Sequence, residues 1–297
     1  MLRFLICCLF CVFFIGTAVA QPPKSQLYVF DVRVGDTLVT LTNPRYLSGF
    51  NTNGYNDHPH WADNNVLFAS VATPDMAQPD IYRFDLANTT RTRLTQTKSG
   101  EYSPKKMGDG SRFSAVRQQF TDRDTVLRLW EFPADLSDNG RPVFATTNGI
   151  GYYEWLNNNQ LALFLVGNPN TLVLASANGE SPRTLATNTG RTFTRLTNGN
   201  LVYVDKSTTP WQLTERNLYR LDESPRVIAP MLAGTEDFVV LPDGSYLAGG
   251  DTKLYRLDPT GASPAWREVV DLGFYGLRRI SRLAFDGRGQ LALVAQN

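Results

Sequence analysis

Thiol and imidazole groups are what this chain has least of. All three cysteines, Cys7, Cys8 and Cys11, fall inside an apolar leader, and the only histidines are His58 and His60. Beyond residue 20 there is therefore no disulfide, thiol nucleophile or cysteine metal site to invoke, and the fold must hold without a covalent staple. An excess of charge of one sign is also missing. Without Arg3, 28 basic residues stand against 28 acidic ones. No long like-charge block breaks that balance, so composition gives no electrostatic case for nucleic acid or an anionic membrane surface. Helical stretches of useful length and linkers are absent too, which points to an all-β chain.

The leader has three parts. Arg3 opens it, an apolar run covers Leu5 to Ile15, and Ala18-Val-Ala20 is a small-x-small cleavage pattern. Together they read as a secretory signal peptide over 1–20, with cleavage after Ala20. An uncleaved anchor is the competing reading, because the run approaches the roughly 18 to 20 apolar residues of a span. With the leader removed no stable membrane span is expected, and the destination is periplasmic or secreted. Residues 21–297 read as one domain, ample for a large core.

What fills that domain is repetition. An apolar anchor, a turn of Asp, Asn or Gly, and an alternating strand recur as Trp61-Ala-Asp-Asn, Met107-Gly-Asp-Gly, Trp155-Leu-Asn-Asn, Leu196-Thr-Asn-Gly, Leu241-Pro-Asp-Gly and Phe285-Asp-Gly-Arg. The anchors lie 46, 48, 41, 45 and 44 residues apart, which suits one four-stranded antiparallel propeller blade per repeat. Asp-Gly, Asn-Gly and Asn-Asn tolerate the positive φ of a two-residue hairpin connection. A second strand signature follows in several copies, as Tyr82-Arg-Phe-Asp85, Tyr219-Arg-Leu-Asp222 and Tyr255-Arg-Leu-Asp258. The chain ends hold complementary halves: Gln26 to Thr42 the second half of a repeat, Arg282 to Asn297 the first. Five whole repeats plus this composite predict a six-bladed β-propeller whose ring closes by pairing strands from opposite termini.

At these repeats the sequence resembles the TolB-like six-bladed propellers, whose units carry a Trp-Ser-Pro-Asp-Gly consensus, a Tyr-x-x-Asp strand and a Leu-Thr ending. Trp61-Ala-Asp-Asn, Leu241-Pro-Asp-Gly, Tyr82-Arg-Phe-Asp85 and Arg93-Leu-Thr95 are the matching residues. The resemblance implies the fold and leaves activity open. Peptidases with a related propeller add a hydrolase domain carrying Gly-x-Ser-x-Gly, and no such pentapeptide occurs here.

In such a ring, connections between the middle strands share one face with those leading to the next blade. That face is expected to collect the longest connections, bringing Tyr46, Phe50, Tyr55, Phe120, Trp211, Phe274 and Tyr275 toward one side. A rim of Tyr, Trp and Phe with little net charge suits a protein or glycan ligand; the alternative is that most of these rings plug their own loops onto the scaffold. His58 and His60, at i and i+2 of an extended segment, would point the same way, with Asp57 and Asp63 nearby. They are weak metal candidates, since a good site needs three or four convergent ligands. Directly before each anchor stand His60, Lys106, Glu154, Arg195, Val240 and Ala284, placing His58, His60, Glu154 and Arg195 at a channel mouth.

These residues predict a monomeric, exported propeller, not an enzyme, that needs no cofactor and binds a protein or cell-envelope polymer through its loop face. A metal-assisted, lactonase-like hydrolase at the channel mouth is the alternative.

Overall fold

The computed structural model describes residues 22–36, 38–108, 110–120, 124–179 and 181–296. The expected signal peptide, 1–20, lies outside the described residues. The strands in chain order begin with β1 (Gln26–Val34) and β2 (Val39–Tyr46). A first blade follows as β3 (Tyr55–Asp63), β4 (Val66–Ala72), β5 (Asp80–Asp85) and β6 (Thr90–Arg93). The second comprises β7 (Gly100–Lys106), β8 (Arg112–Phe120), β9 (Thr125–Pro133) and β10 (Arg141–Pro142). The third is β11 (Ile150–Trp155), β12 (Gln160–Leu165), β13 (Thr171–Ser176) and β14 (Arg183–Thr187). β15 (Thr189–Arg195), β16 (Leu201–Asp205), β17 (Gln212–Arg216) and β18 (Arg226–Pro230) make the fourth. The fifth holds β19 (Phe238–Val240), β20 (Tyr246–Gly250), β21 (Lys253–Leu257) and β22 (Arg267–Asp271). Last come β23 (Ile280–Phe285) and β24 (Gln290–Ala295).

Each blade is a four-stranded antiparallel sheet, and the sixth has the order β2-β1-β24-β23. Its seam pairs Gln26 with Ala295 and Asp31 with Gln290, so the two chain ends close the six-bladed ring as the half-repeats require. Hydrogen bonds reinforce the seam toward the first blade. Ser25 Oγ donates to Asn56 O at 2.9 Å, and Asn56 Nδ2 donates to Ser25 O at 2.7 Å. Gly54 sits against this network so closely that a Cβ there would lie 2.1 Å from Asn51 Oδ1 and 2.3 Å from Ala72 O.

The middle strands read as unbroken apolar runs because both their faces are covered. In β24, Leu291, Leu293 and Ala295 face the fifth blade, while Ala292 and Val294 face the first. On β1, Phe30 and Val32 take the first direction, Leu27 and Val29 the second. Repeated round the ring, this alternation fills all six gaps between blades with apolar side chains. The tryptophan anchors add polar ties to the preceding blade: Trp61 Nε1 donates to Ala284 O at 2.9 Å and Trp155 Nε1 to Ser114 Oγ at 3.0 Å.

The turn after each inner strand departs from the two-residue expectation in most blades. Only residues 64–65 make so short a link, with Asn65 at φ 58°. Elsewhere the turn acid or amide organises a longer loop, as Asp286 Oδ1 does by accepting the N–H groups of Arg288, Gly289 and Gln290. That is the Asx chemistry for which Asp and Asn are favoured in turns. Connections 217–225 and 258–266, on the same side as these turns, are as long as those of the opposite face. The loop face is thus not distinguished by length.

Candidate functional site

The inner strands β3, β7, β11, β15, β19 and β23 line a central channel, and two of them bend alike. Pairing of β3 with β4 slips between Asp57 and His60, and pairing of β7 with β8 slips between Tyr102 and Lys105. At the two bulges His58 has φ 54° and Ser103 has φ 52°. Holding a non-glycine residue in this left-handed region costs on the order of 1 kcal/mol or more. Each of the two precedes a proline, Pro59 or Pro104, which disfavours the ordinary helical conformation for the residue before it.

The bulges bring His58 against Ser103 of the next blade. Its Nδ1 accepts the Ser103 main-chain N–H at 2.8 Å, and the Ser103 hydroxyl lies at 2.8 Å from the same nitrogen. His58 Nε2 is 3.0 Å from Arg282 Nη2; with Nδ1 accepting, the neutral ring carries its proton on Nε2, so this is a close approach of two donors and not a hydrogen bond. Burial and the Arg282 charge push the His58 pKa down to about 3. A serine beside a histidine has the spacing of a nucleophile and its base, but a ring this weakly basic is a poor proton acceptor near neutral pH. The contact instead latches two blades together. The bulge interrupts the strand alternation between His58 and His60, and both residues line the same cavity. Burial, with Lys105 nearby, pushes His60 well below its ordinary pKa.

Arg282, from β23, is the hub of the channel. Its Nη2 donates to Tyr152 OH at 2.8 Å, its Nε lies 3.2 Å from Asp57 Oδ1, and its Nη1 lies 3.9 Å from Asp237 Oδ2. Asp237 also accepts Leu283 N at 2.8 Å and the Thr192 hydroxyl at 3.0 Å. Burial alone would raise the Asp57 carboxyl, yet Arg282, His58 and the His58 N–H hold it below its usual value. For Asp237 burial prevails over Arg282 and Arg191, and the carboxyl shifts up. Burial works against the guanidinium as well, but Asp57, Tyr152 and Asp237 more than reverse that, raising the Arg282 pKa.

Toward the turn face the channel holds an ion pair, Lys105 Nζ to Glu154 Oε2 at 2.6 Å. The residue directly before the Met107 anchor was expected there, but counted from the bulge that β7 shares with β3, Ser103-Pro104-Lys105 matches His58-Pro59-His60, so Lys106 takes the place of Trp61 and Lys105 faces the channel. Lys106 instead pairs with Asp63 at 3.0 Å outside the channel. A cavity of about 130 Å³ lies among His58, Tyr152, Arg191, Asp237 and Arg282. It shares His60, Lys105 and Thr192 with a vestibule of about 880 Å³ lined by Glu154, Arg195, Asn198, Asp243 and Asp286, tips of the turn face included. Arg195 is exposed at that mouth, its guanidinium donating to Leu156 O at 2.5 Å and to Tyr219 OH at 3.1 Å. Among the described residues no three His, Asp or Glu side chains converge as a metal site would need.

Of the loop-face aromatics, three are brought to one sector. Tyr46 stacks on Tyr28 with centroids 4.8 Å apart, Tyr275 meets Phe30 edge-on at 5.5 Å, and Phe274 meets Tyr275 at 5.5 Å. Tyr28 and Phe30 are two residues apart on β1 and share a face, so they link the others into one ridge across the fifth and sixth blades. Phe274 is 93% exposed, Tyr46 43% and Tyr275 41%. The remaining four lie apart. Phe50 packs beside Tyr82 and Phe84 under the Arg91 guanidinium, 3.6 Å from its ring. Tyr55 is buried beside His58 and Tyr102. Trp211 lies under Lys206, whose ammonium is 4.2 Å from the ring, and Phe120 stands exposed at the end of β8.

Ser103, Tyr152, Arg191, Asp237 and Arg282 carry most of the channel chemistry, and inspecting only the position before each anchor misses them. A usable signal is present. His58, Tyr152 and Arg282 each stand three residues before their anchors, and His58-Pro59 and Ser103-Pro104 repeat the same dipeptide form one blade apart.

No family model matches this sequence, and no curated protein sequence matches it. Solved structures do match in shape. TolB from Acinetobacter baumannii superposes with TM-score 0.58 and 13% identity over 92% of this chain and 64% of its own, so this chain spans less than two thirds of that protein. The putative TolB from Agrobacterium tumefaciens gives TM-score 0.64 and 10% identity, covering 92% of this chain and 98% of that one. Oligogalacturonate lyase from Vibrio parahaemolyticus gives 0.54 and 9% identity, covering 87% and 83%. At such identities the likeness is one of fold: the ring is a TolB-like six-bladed propeller.

Proposed function

We propose that this protein is an exported, non-enzymatic, monomeric propeller that binds a protein or cell-envelope polymer through its loop face. The observation that carries this reading is the aromatic ridge of Phe274, Tyr275 and Tyr46, ordered by buried Phe30 and half-buried Tyr28 and left open to solvent. Large rings fixed on a rigid scaffold lose little entropy on binding, which is why they dominate binding hot spots. Among the described residues no helix is long and apolar enough to cross a membrane. The channel offers less to a hydrolase reading, because His58 Nδ1 is taken by the Ser103 main-chain N–H and the basicity of the ring is suppressed.

The test is capture from cell-envelope extract by the purified protein, beside a Phe274→Ala/Tyr275→Ala variant and an Arg195→Met variant. A partner retained by Arg195→Met and lost with the aromatics supports the loop-face site. A partner lost only with Arg195→Met moves binding to the channel mouth, and a partner insensitive to both variants removes the ridge from consideration.

A further inference from the structure

Arg191 is the one half-buried cation of the channel with no ion pair within 4 Å among the described residues. Lys105 has Glu154 at 2.6 Å, Arg282 has Asp57 at 3.2 Å, and Lys206 has Glu236 at 3.5 Å. Arg191 differs. Its Nη2 donates to a main-chain carbonyl, Ser281 O, at 2.9 Å, and its Nε, like that of Arg282, is buried with no hydrogen-bond partner, but no carboxylate stands beside it as Asp57 stands beside Arg282. Glu236, the neighbouring acid, accepts the Arg191 main-chain N–H at 3.1 Å and is taken by Lys206. The Arg191 side chain lines the cavity of about 130 Å³ together with Thr192, Tyr152 and Asp237.

We infer that this cavity is a carboxylate-binding pocket, with Arg191 as its anchor, entered from the turn-face vestibule. A buried guanidinium N–H without a partner is costly, so an acceptor that supplies the missing bond and a countercharge is favoured. Size selects among anions. At about 30 Å³ per water, the cavity holds the equivalent of about four waters, which fits a carboxylate with a short stem. Charge selects further. Asp57, Asp237 and Glu236 stand around the same arginine, so a dianion such as phosphate would meet more repulsion than a monoanion. The continuous vestibule of about 880 Å³ leaves room for whatever carries the carboxylate, either a small free acid or the end of a peptide chain. The cavity lies deeper than the vestibule, toward the loop-face ends of the inner strands, with Asp237 just before β19 and Arg191 and Arg282 third in β15 and β23; none of the ridge aromatics lines it.

The test is titration of the purified protein with sodium acetate, followed by calorimetry and by the arginine Nε–Hε NMR signals, with chloride and sulfate at matched ionic strength. A tripeptide with a free C-terminus and its amide form the second arm. Saturable acetate binding that moves the Arg191 Nε–Hε signal, persists in Arg195→Met, and weakens about tenfold or more in Arg191→Lys and Arg191→Met supports the pocket. Tighter binding of the free-acid tripeptide than of acetate, with none by its amide, supports it and identifies a chain terminus as the source. Should Arg191→Met fail to fold, the wild-type Nε–Hε signal alone decides. An unmoved signal, an equal response to chloride or sulfate, or loss of binding in Arg195→Met alone overturns the assignment.

Discussion

Replacing Arg282 with methionine should be among the most damaging single changes in the channel. Methionine retains most of the apolar stem, so the comparison isolates the guanidinium. That group lies 3.2 Å from Asp57, at which separation an attraction of about 5 kcal/mol follows for an effective dielectric of about 20. It also donates to Tyr152 at 2.8 Å, and it is only 12% exposed, so solvent screens little of this. Since removing one member of a buried pair strands the other charge, the expected loss is about 3 to 5 kcal/mol. The readout is the urea-unfolding free energy at pH 7 of wild type, Arg282→Met, Asp57→Asn and the double variant. The double variant should recover part of the Arg282→Met loss, because no charge is stranded at Asp57. Acidity supplies a second readout. With Arg282 present the Asp57 pKa is held down, so its contribution is present above the unfolded carboxylate value and is lost as pH falls through the lower folded value. Without Arg282 the folded pKa should rise above the unfolded one, and acidifying from pH 7 to 5 should stabilise the variant relative to wild type. A loss below about 1 kcal/mol with unchanged pH dependence would refute the hub.

Three further outcomes follow from other parts of the ring. Burial pushes the Glu101 pKa up to about 7 despite Arg117 at 2.9 Å, so the folded state holds the extra proton and stability should fall as pH rises from about 4.5 to 7; Glu101→Gln, followed by thermal unfolding across that range, should flatten this slope. His58 and His60 act in the opposite sense, since their folded pKa values lie below the unfolded one and stability is lost as pH falls below about 6.5; neither ring should titrate between pH 8 and 5 by NMR. Gly54→Ala places a Cβ against Asn51 Oδ1 and Ala72 O and should cost about 1 to 3 kcal/mol by urea unfolding, whereas Phe274→Ala should cost less than about 0.5.

The ring was legible because its signals are local. Asp286-Gly287 and Asp243-Gly244 announce their turns, and the half-repeats at Gln26 and Arg282 announce the composite blade. The channel was not, because its contacts join residues far apart: Arg282 reaches His58 across 224 positions and Tyr152 across 130. Bulges add a second obstacle. In β7 the anchor Met107 falls one residue later, relative to the bulge, than Trp61 does in β3, so Lys105 and not Lys106 faces the channel. The aromatic ridge was half legible. Tyr46, Phe274 and Tyr275 stood out by type, but their linkage through Tyr28 and Phe30 depends on a strand pairing that only the closed ring creates.

The composite blade also sets a clock. Until Gln290 to Ala295 have left the ribosome, β1 has no partner on its inner side, and the channel lacks Arg282. A growing chain can therefore assemble individual blades but cannot complete the ring, and completion waits on contacts of the longest possible sequence separation, the slowest kind to form. A polypeptide that stays open until β24 has been made remains threadable, and its final architecture is deferred to wherever β1 and β24 first meet.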